Sequence, residues 1–319
     1  MADLASWLAA DQRVWLCTVV RTWGSSPRPP GSLMAVNEAG QWIGSVSGGC
    51  LEENLTLEVC HDTESGDAPR VIDYGVTEAD QQAWGLPCRG RMRLVVESLS
   101  PHDHEVAVSM LLEALEERRP VTRKVDMNSG EWRFASHSVP ETVEESGGEF
   151  LHTLGPSSRM LLIGAGEVAR YVARIALMNE FSVTLCEPRE LFLRGWGNEA
   201  GIRVRVCSPD DLIRQEFSDA YCAILVLDHD PRIDDMSLLA ALETDAFYIG
   251  AMGLEKTAAQ RRERLHELGV TDSRMGRLHA PIGFQIGSKS PPEIAVATMA
   301  QVLAERYRLL RRMIRDHQA

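Results

Sequence analysis

The chain reads as an α/β protein of two domains, a smaller amino-terminal α+β domain followed by a parallel sheet layered with helices. Three observations carry this. Through the second half, short apolar bursts alternate with helical stretches, as expected of a parallel sheet buried on both faces. The first half instead sets short alternating strands around two helical stretches. Between the halves lies a segment rich in Glu, Ser, Gly and Pro. With 319 residues, 44% of them apolar and 25% charged, the chain has the material for two ordinary cores.

Residues 13–23 (R-V-W-L-C-T-V-V-R-T-W) are rich in β-branched and aromatic side chains and predict a strand. Residues 24–31 contain three prolines, which lack amide donors, so a loop follows. Residues 32–36 and 41–46 predict two short strands joined by a turn, and 51–60 has helical spacing. Strands are expected at 70–73 and at 91–98, where Met92, Leu94 and Val96 alternate. In 103–117 Val106, Met110, Leu111, Ala114 and Leu115 mark one amphipathic helix. A strand pair at 121–127 and 131–136 closes the first domain, placed at residues 1–136. Residues 137–158 show little periodicity and are expected to be a linker with a short strand at 149–153. The second domain is placed at 159–319. Its strands are expected at 160–163, 182–186, 203–206, 223–227 and 246–249, its helices at 168–178, 210–216, 233–242, 256–268 and 292–313.

The formal net charge of −13 argues against a general nucleic-acid coat, which needs a concentrated positive surface. The amino terminus lacks a leader pattern and no run of about 18 apolar residues occurs, so a cytoplasmic protein without a membrane partner is expected. The seven cysteines form no short paired motif, which argues against a zinc knuckle or a dense disulfide scaffold.

Chemistry concentrates in two places. In the second domain, M-L-L-I-G-A-G-E-V-A joins a strand to a helix through Gly164-x-Gly166-x-x-Ala169. The first glycine permits the tight turn, the second admits a pyrophosphate to the backbone, and the third position must be small for helix-on-strand packing. Free amides at the helix start then face the anion. Glu187 ends the next strand, 23 residues after Gly164, where a carboxylate can accept hydrogen bonds from ribose hydroxyls. This is a Rossmann-like arrangement. Arg189, just beyond, is a candidate for a phosphate or a plain solvated loop residue. His229, in Leu227-Asp228-His229-Asp230 after the fourth strand, is a candidate acid or base or a loop residue.

In the first domain, residues 44–53 (G-S-V-S-G-G-C-L-E-E) predict a strand, a glycine turn and a helix. Ser47 is a candidate helix cap, and the amides of Gly48, Gly49 and Cys50 a candidate anion nest. Cys50 would lie in the first turn, where the helix field favours a thiolate able to act as nucleophile or soft-metal ligand. Cys88, in W-G-L-P-C-R-G, has Arg89 beside it to lower its pKa or contact an anion. Either cysteine also has a purely structural reading. Cys17 reads as core and Cys60 as helix packing.

Across nearly its full length the chain resembles the XdhC/CoxI family of xanthine dehydrogenase accessory proteins. The resemblance rests on residues 22–31 (T-W-G-S-S-P-R-P-P-G), 44–52, the glycine loop, Glu187-Pro188-Arg189, 248–253 (Y-I-G-A-M-G) and 277–283 (R-L-H-A-P-I-G). It implies a maturation chaperone rather than a turnover enzyme. Such a protein binds the molybdenum cofactor, a molybdopterin with or without a cytosine or guanine dinucleotide extension. It works with a cysteine desulfurase that supplies the sulfido ligand, and delivers the cofactor to a xanthine or aldehyde oxidoreductase-type apoenzyme. The resemblance makes Cys50 the leading candidate for contact with molybdenum or transferred sulfur and Cys88 the second, and is compatible with a homodimer. Two departures stand out. The family tends to Cys-Gly-Gly where this chain has Cys88-Arg89-Gly90, and to Asp-Pro-Arg where it has Glu187-Pro188-Arg189. Two competing readings are a nicotinamide-dependent oxidoreductase, with His229 as its acid or base, and a noncatalytic nucleotide-sensing assembly scaffold.

Overall fold

The computed structural model describes every residue except 25–27, 50, 62–67, 76–90, 137–142, 197–198 and 319, and only the backbone for 310–318. The chain divides into two compact units whose main spans are Met1–Pro156 and Ser157–Arg315.

The first unit opens with helix α1 (Ala2–Ala9), which the sequence reading did not anticipate. Strands β1 (Val14–Trp23), β2 (Leu33–Asn37), β3 (Trp42–Gly44), β4 (Arg70–Tyr74) and β5 (Arg91–Leu99) form an antiparallel sheet in the order β3-β2-β1-β5-β4. The period of two along β1 decides what lies on each face. Cys17 and Val19 point into a cluster with Leu55 and Val59 of α2 (Glu52–His61), while Val14 and Leu16 point into one with Leu4 and Leu8 of α1 and Val108 of α3 (Pro101–Glu116). Cys17 is thus fully buried core, and burial pushes its thiol pKa upward.

A second antiparallel sheet, β7-β6-β9-β8, comprises β6 (Val121–Asp126), β7 (Trp132–Ser136), β8 (Val143–Ser146) and β9 (Glu149–Leu154). The stretch expected to be a linker therefore carries a hairpin. Its β8, V-E-E-S, sits at a sheet edge and never reads as apolar; β9 buries Phe150 and His152 completely or nearly so. Arg123 is fully buried and pairs with Glu97 at 2.8 Å, donates to the Thr18 hydroxyl, and has Trp132 over its guanidinium at 4.5 Å.

The second unit is a six-stranded parallel sheet of β10 (Arg159–Ile163), β11 (Ser182–Cys186), β12 (Ile202–Arg205), β13 (Cys222–Val226), β14 (Tyr248–Ala251) and β15 (Leu278–His279). Its order is β12-β11-β10-β13-β14-β15, with every pairing parallel. Numbered within the unit this is 3-2-1-4-5-6, the doubly wound order. All five expected strands are present, and β15 is additional. Alternate residues feed two cores. Met160, Leu162, Leu185 and Leu225 pack with α4 (Glu167–Met178) and α10 (Pro291–Gln318). Leu161, Ile163, Ile224 and Val226 pack with α6 (Pro209–Glu216), α7 (Pro231–Leu242) and α8 (Glu255–Glu267). Short helices α5 (Glu190–Leu193) and α9 (Asp272–Met275) complete the unit. Among the described residues no helix is long and apolar enough to cross a membrane.

Candidate functional site

Beyond β10 the chain winds to one side of the sheet, through β11 and β12, and then returns to add β13, β14 and β15 on the other. The loops after β10 and β13 diverge, and such a divergence is where open α/β sheets take ligands. Gly164 turns the chain after β10 with φ of +100°. A Cβ at this position would stand 2.8 Å from the Asp228 amide nitrogen, so close packing of the two loops demands glycine independently of any ligand. Gly166 differs. It is the N-cap of α4, it offers no side chain to cap the helix, and a Cβ there would meet nothing within 4 Å. Ala169 is fully buried against the sheet, which accounts for the small third position.

A cavity of about 250 Å³ opens here, lined by Gly164, Gly166, Glu187, Arg189, Asp228 and His229, with Phe192 and Met252 as apolar walls. This is just below the roughly 300–1,000 Å³ common for ligand pockets. Every residue that the sequence proposed for the second domain therefore lines one cavity.

The polar chemistry inside is not the expected one. Glu187 is 0% exposed. Its Oε1 accepts from Arg189 N and Nε at 3.0 and 2.7 Å, and its Oε2 from Ala165 N and Arg189 Nη2 at 3.2 and 3.0 Å. Burial alone would push the Glu187 pKa up; the hydrogen bonds from Arg189 and the Ala165 amide outweigh it and hold the carboxyl below the ordinary range. Arg189 Nη2 also bonds Asp228 Oδ2, and the guanidinium lies 4.1 Å from the centre of the Phe192 ring. Asp228 Oδ1 accepts from the amides of His229 and Asp230 at 2.6 and 3.2 Å. The His229 imidazole is exposed and has no hydrogen-bond partner among the described residues. Trp196 fixes the glycine loop from behind by donating to the Ala165 carbonyl at 2.7 Å.

In the first unit, the loop before α2 folds around Glu52, 4% exposed. Its carboxylate accepts from the amides of Val46, Ser47, Gly49 and Leu51 and from the hydroxyls of Ser45 and Ser47, at 2.5 to 3.1 Å. Gly48 and Gly49 have φ of +82° and +117°, and the Gly48 amide donates to Ser45 Oγ. The two described amides of the expected anion nest are thus already taken, and the chief anion is the chain's own Glu52. Ser47 Oγ accepts from Leu51 N at 2.8 Å, an amide just ahead of α2, and so braces the loop rather than the first turn of the helix. Burial raises the Glu52 pKa, but the serine hydroxyls and backbone amides prevail and hold it at about 2. Cys50, Cys88 and Arg89 lie outside the described residues. Among the described residues no group of three or more His, Cys, Asp or Glu side chains is placed to hold a metal ion.

Three contributors were missed in whole or in part from the sequence. Asp228 was legible as a strand-end polar residue, but its clasp on Arg189 was not. Phe192 had no sequence signal. Glu52 was visible only as a helix-start acid, because it reaches back further than the three-residue spacing of a capping box.

Fold and site together define a two-unit chain with a doubly wound sheet, a glycine-loop cavity at its divergence, and a serine-glycine loop closed on Glu52 in the other unit. A family model for the XdhC Rossmann domain matches residues 160–302, and one for the XdhC and CoxI family matches residues 7–75. The chain belongs to the XdhC/CoxI family. It is 28% identical over 294 residues to the molybdenum cofactor insertion chaperone PaoD of Escherichia coli, covering 91% of this chain and 83% of that one. It is 23% identical to a probable xanthine dehydrogenase subunit of Bacillus subtilis, over 95% of this chain and 96% of that one. A crystal structure described as a xanthine dehydrogenase from Bacillus halodurans shares the fold, with a TM-score of 0.74 over 96% of this chain and 95% of that one at 23% identity.

Proposed function

We propose that this protein is a molybdenum-cofactor chaperone: it binds the cofactor as cargo, supports its sulfuration with a cysteine desulfurase, and hands it to a xanthine or aldehyde oxidoreductase-type apoenzyme. The observation that carries the cofactor-binding reading is the open glycine edge. Gly166 faces empty space beside the uncapped start of the 12-residue helix α4, within that cavity. A diphosphate seated there would accept from the α4 amides, which have the helix field behind them. The likeness to the Escherichia coli insertion chaperone supports molybdenum cofactor as the cargo. Cys50 and Cys88 are the proposed thiol contacts for the dithiolene-molybdenum end, since thiolates suit soft metals and sulfur relay.

The test is anaerobic purification from a cofactor-competent host, with molybdenum and pterin fluorescence measured per chain and activation of the apoenzyme assayed. Native protein retains cofactor and activates the client. Cys50→Ala lowers one or both, and Cys88→Ala lowers them less. Unchanged retention and activation in both variants would remove the cysteines from the mechanism.

A second reading, a nicotinamide-dependent oxidoreductase, draws on one observation: His229 stands at the cavity with its imidazole unengaged. It requires turnover of NAD(H) or NADP(H) with a substrate, and loss of that turnover in His229→Ala.

A further inference from the structure

A carboxylate ending the second strand of a doubly wound sheet ordinarily takes the ribose hydroxyls itself. Here that role is closed to Glu187. Four hydrogen bonds occupy the lone pairs of its two oxygens, and the side chain is 0% exposed. What faces the cavity instead is Arg189, whose side chain is 33% exposed. Its Nε and Nη2 are consumed by Glu187 and Asp228, one face rests on Phe192, and its two Nη1 hydrogens have no partner among the described residues. Beside it, Asp228 Oδ2 accepts only from Arg189 among the described residues and so keeps one lone pair.

We infer that Arg189 and Asp228, with Glu187 as the positioning residue behind them, form a reader for the cis-diol of a ribose. The inference rests on the glycine edge binding a nucleotide. A ribose hydroxyl both donates and accepts, so a free guanidinium edge next to a carboxylate lone pair matches the 2′- and 3′-hydroxyls as a pair. The clasp on Glu187 is bidentate, which fixes the orientation of the fork. Charge sets the second half of the specificity. Two carboxylates surround one guanidinium, so the cluster carries a net negative charge and disfavours a ribose bearing a 2′-phosphate. The site takes ribonucleoside diphosphates and rejects both 2′-deoxy and 2′-phosphorylated ones.

The test is equilibrium binding of CDP, GDP and ADP, their 2′-deoxy counterparts, 2′-phospho-ADP and inorganic pyrophosphate to the full chain. At least one ribonucleoside diphosphate binds about tenfold or more tightly than its deoxy form, the loss expected for a charge-assisted hydrogen bond. The 2′-phospho form of ADP binds more weakly than ADP. In Arg189→Ala the ribose-to-deoxy ratio falls toward one while pyrophosphate competes as before, and Arg189→Lys, which keeps charge but lacks the fork, restores little of the ratio. Equal binding of ribose and deoxyribose forms to the native chain overturns the inference without any variant, and leaves nucleotide binding at the glycine edge standing. Failure of every diphosphate and of pyrophosphate to bind overturns that reading as well.

Discussion

Gly164 and Gly166 belong to one loop but answer to different forces. Gly164 has left-handed backbone and no room for a Cβ against Asp228, so Gly164→Ala forces two loops apart. A loss of about 2 kcal/mol or more, read by denaturant unfolding, is expected from strain of this kind. Gly166 has ordinary extended backbone and free space, so Gly166→Val folds with near-native stability and loses ligand affinity instead. Glu52 supplies a pH signature. Its pKa falls from 4.5 in the unfolded chain to about 2 in the fold, which corresponds to roughly 3 kcal/mol of stability at neutral pH. Because the folded pKa is the lower one, that contribution is complete above pH 4.5, declines as pH falls toward 2, and vanishes below it. Glu52→Gln flattens this acid limb in unfolding titrations and lowers neutral stability. An unchanged acid limb would show that the loop does not depend on the carboxylate.

Among the elements, those with a strong period were legible and those defined by partners were not. The four inner strands of the parallel sheet read directly from their apolar bursts, since residues buried on both faces leave no alternation to misread. Strand β8 did not, because an edge strand spends its side chains on solvent. Helix α1 is eight residues and is held by burial of Leu4 and Leu8 rather than by a long periodic face. Arg123 on β6 was equally opaque: it is the largest fully buried side chain among the described residues, paired with Glu97 on β5. Such a pair gains little over apolar packing, but removing one partner strands a buried charge. Arg123→Ala is therefore expected to cost about 3–5 kcal/mol, with Arg123→Met/Glu97→Leu costing less than either single change. A double variant as damaged as the single ones would mean that the pair does more than satisfy itself.

Across the whole chain, the residues that line the cavity of the second unit were legible from local pattern, because the glycine loop and the strand-end acids are both sequence-local. The inner wiring of the site was not. Glu187, Arg189 and Asp228 meet only because the sheet order brings β11 and β13 to either side of β10. Sequence spacing thus located the acid correctly at the strand end but could not reveal that an arginine already occupied it. The chaperone reading depends on the glycine edge binding cargo, and one titration bears on that directly: molybdopterin in its cytosine and guanine dinucleotide forms, added anaerobically to native protein and to Gly166→Val. Native protein should bind one form at close to one equivalent per chain, with Gly166→Val at least about tenfold weaker and equally stable. If neither form binds well-folded native protein, or if Gly166→Val binds as tightly as native, cofactor binding at this edge is contradicted.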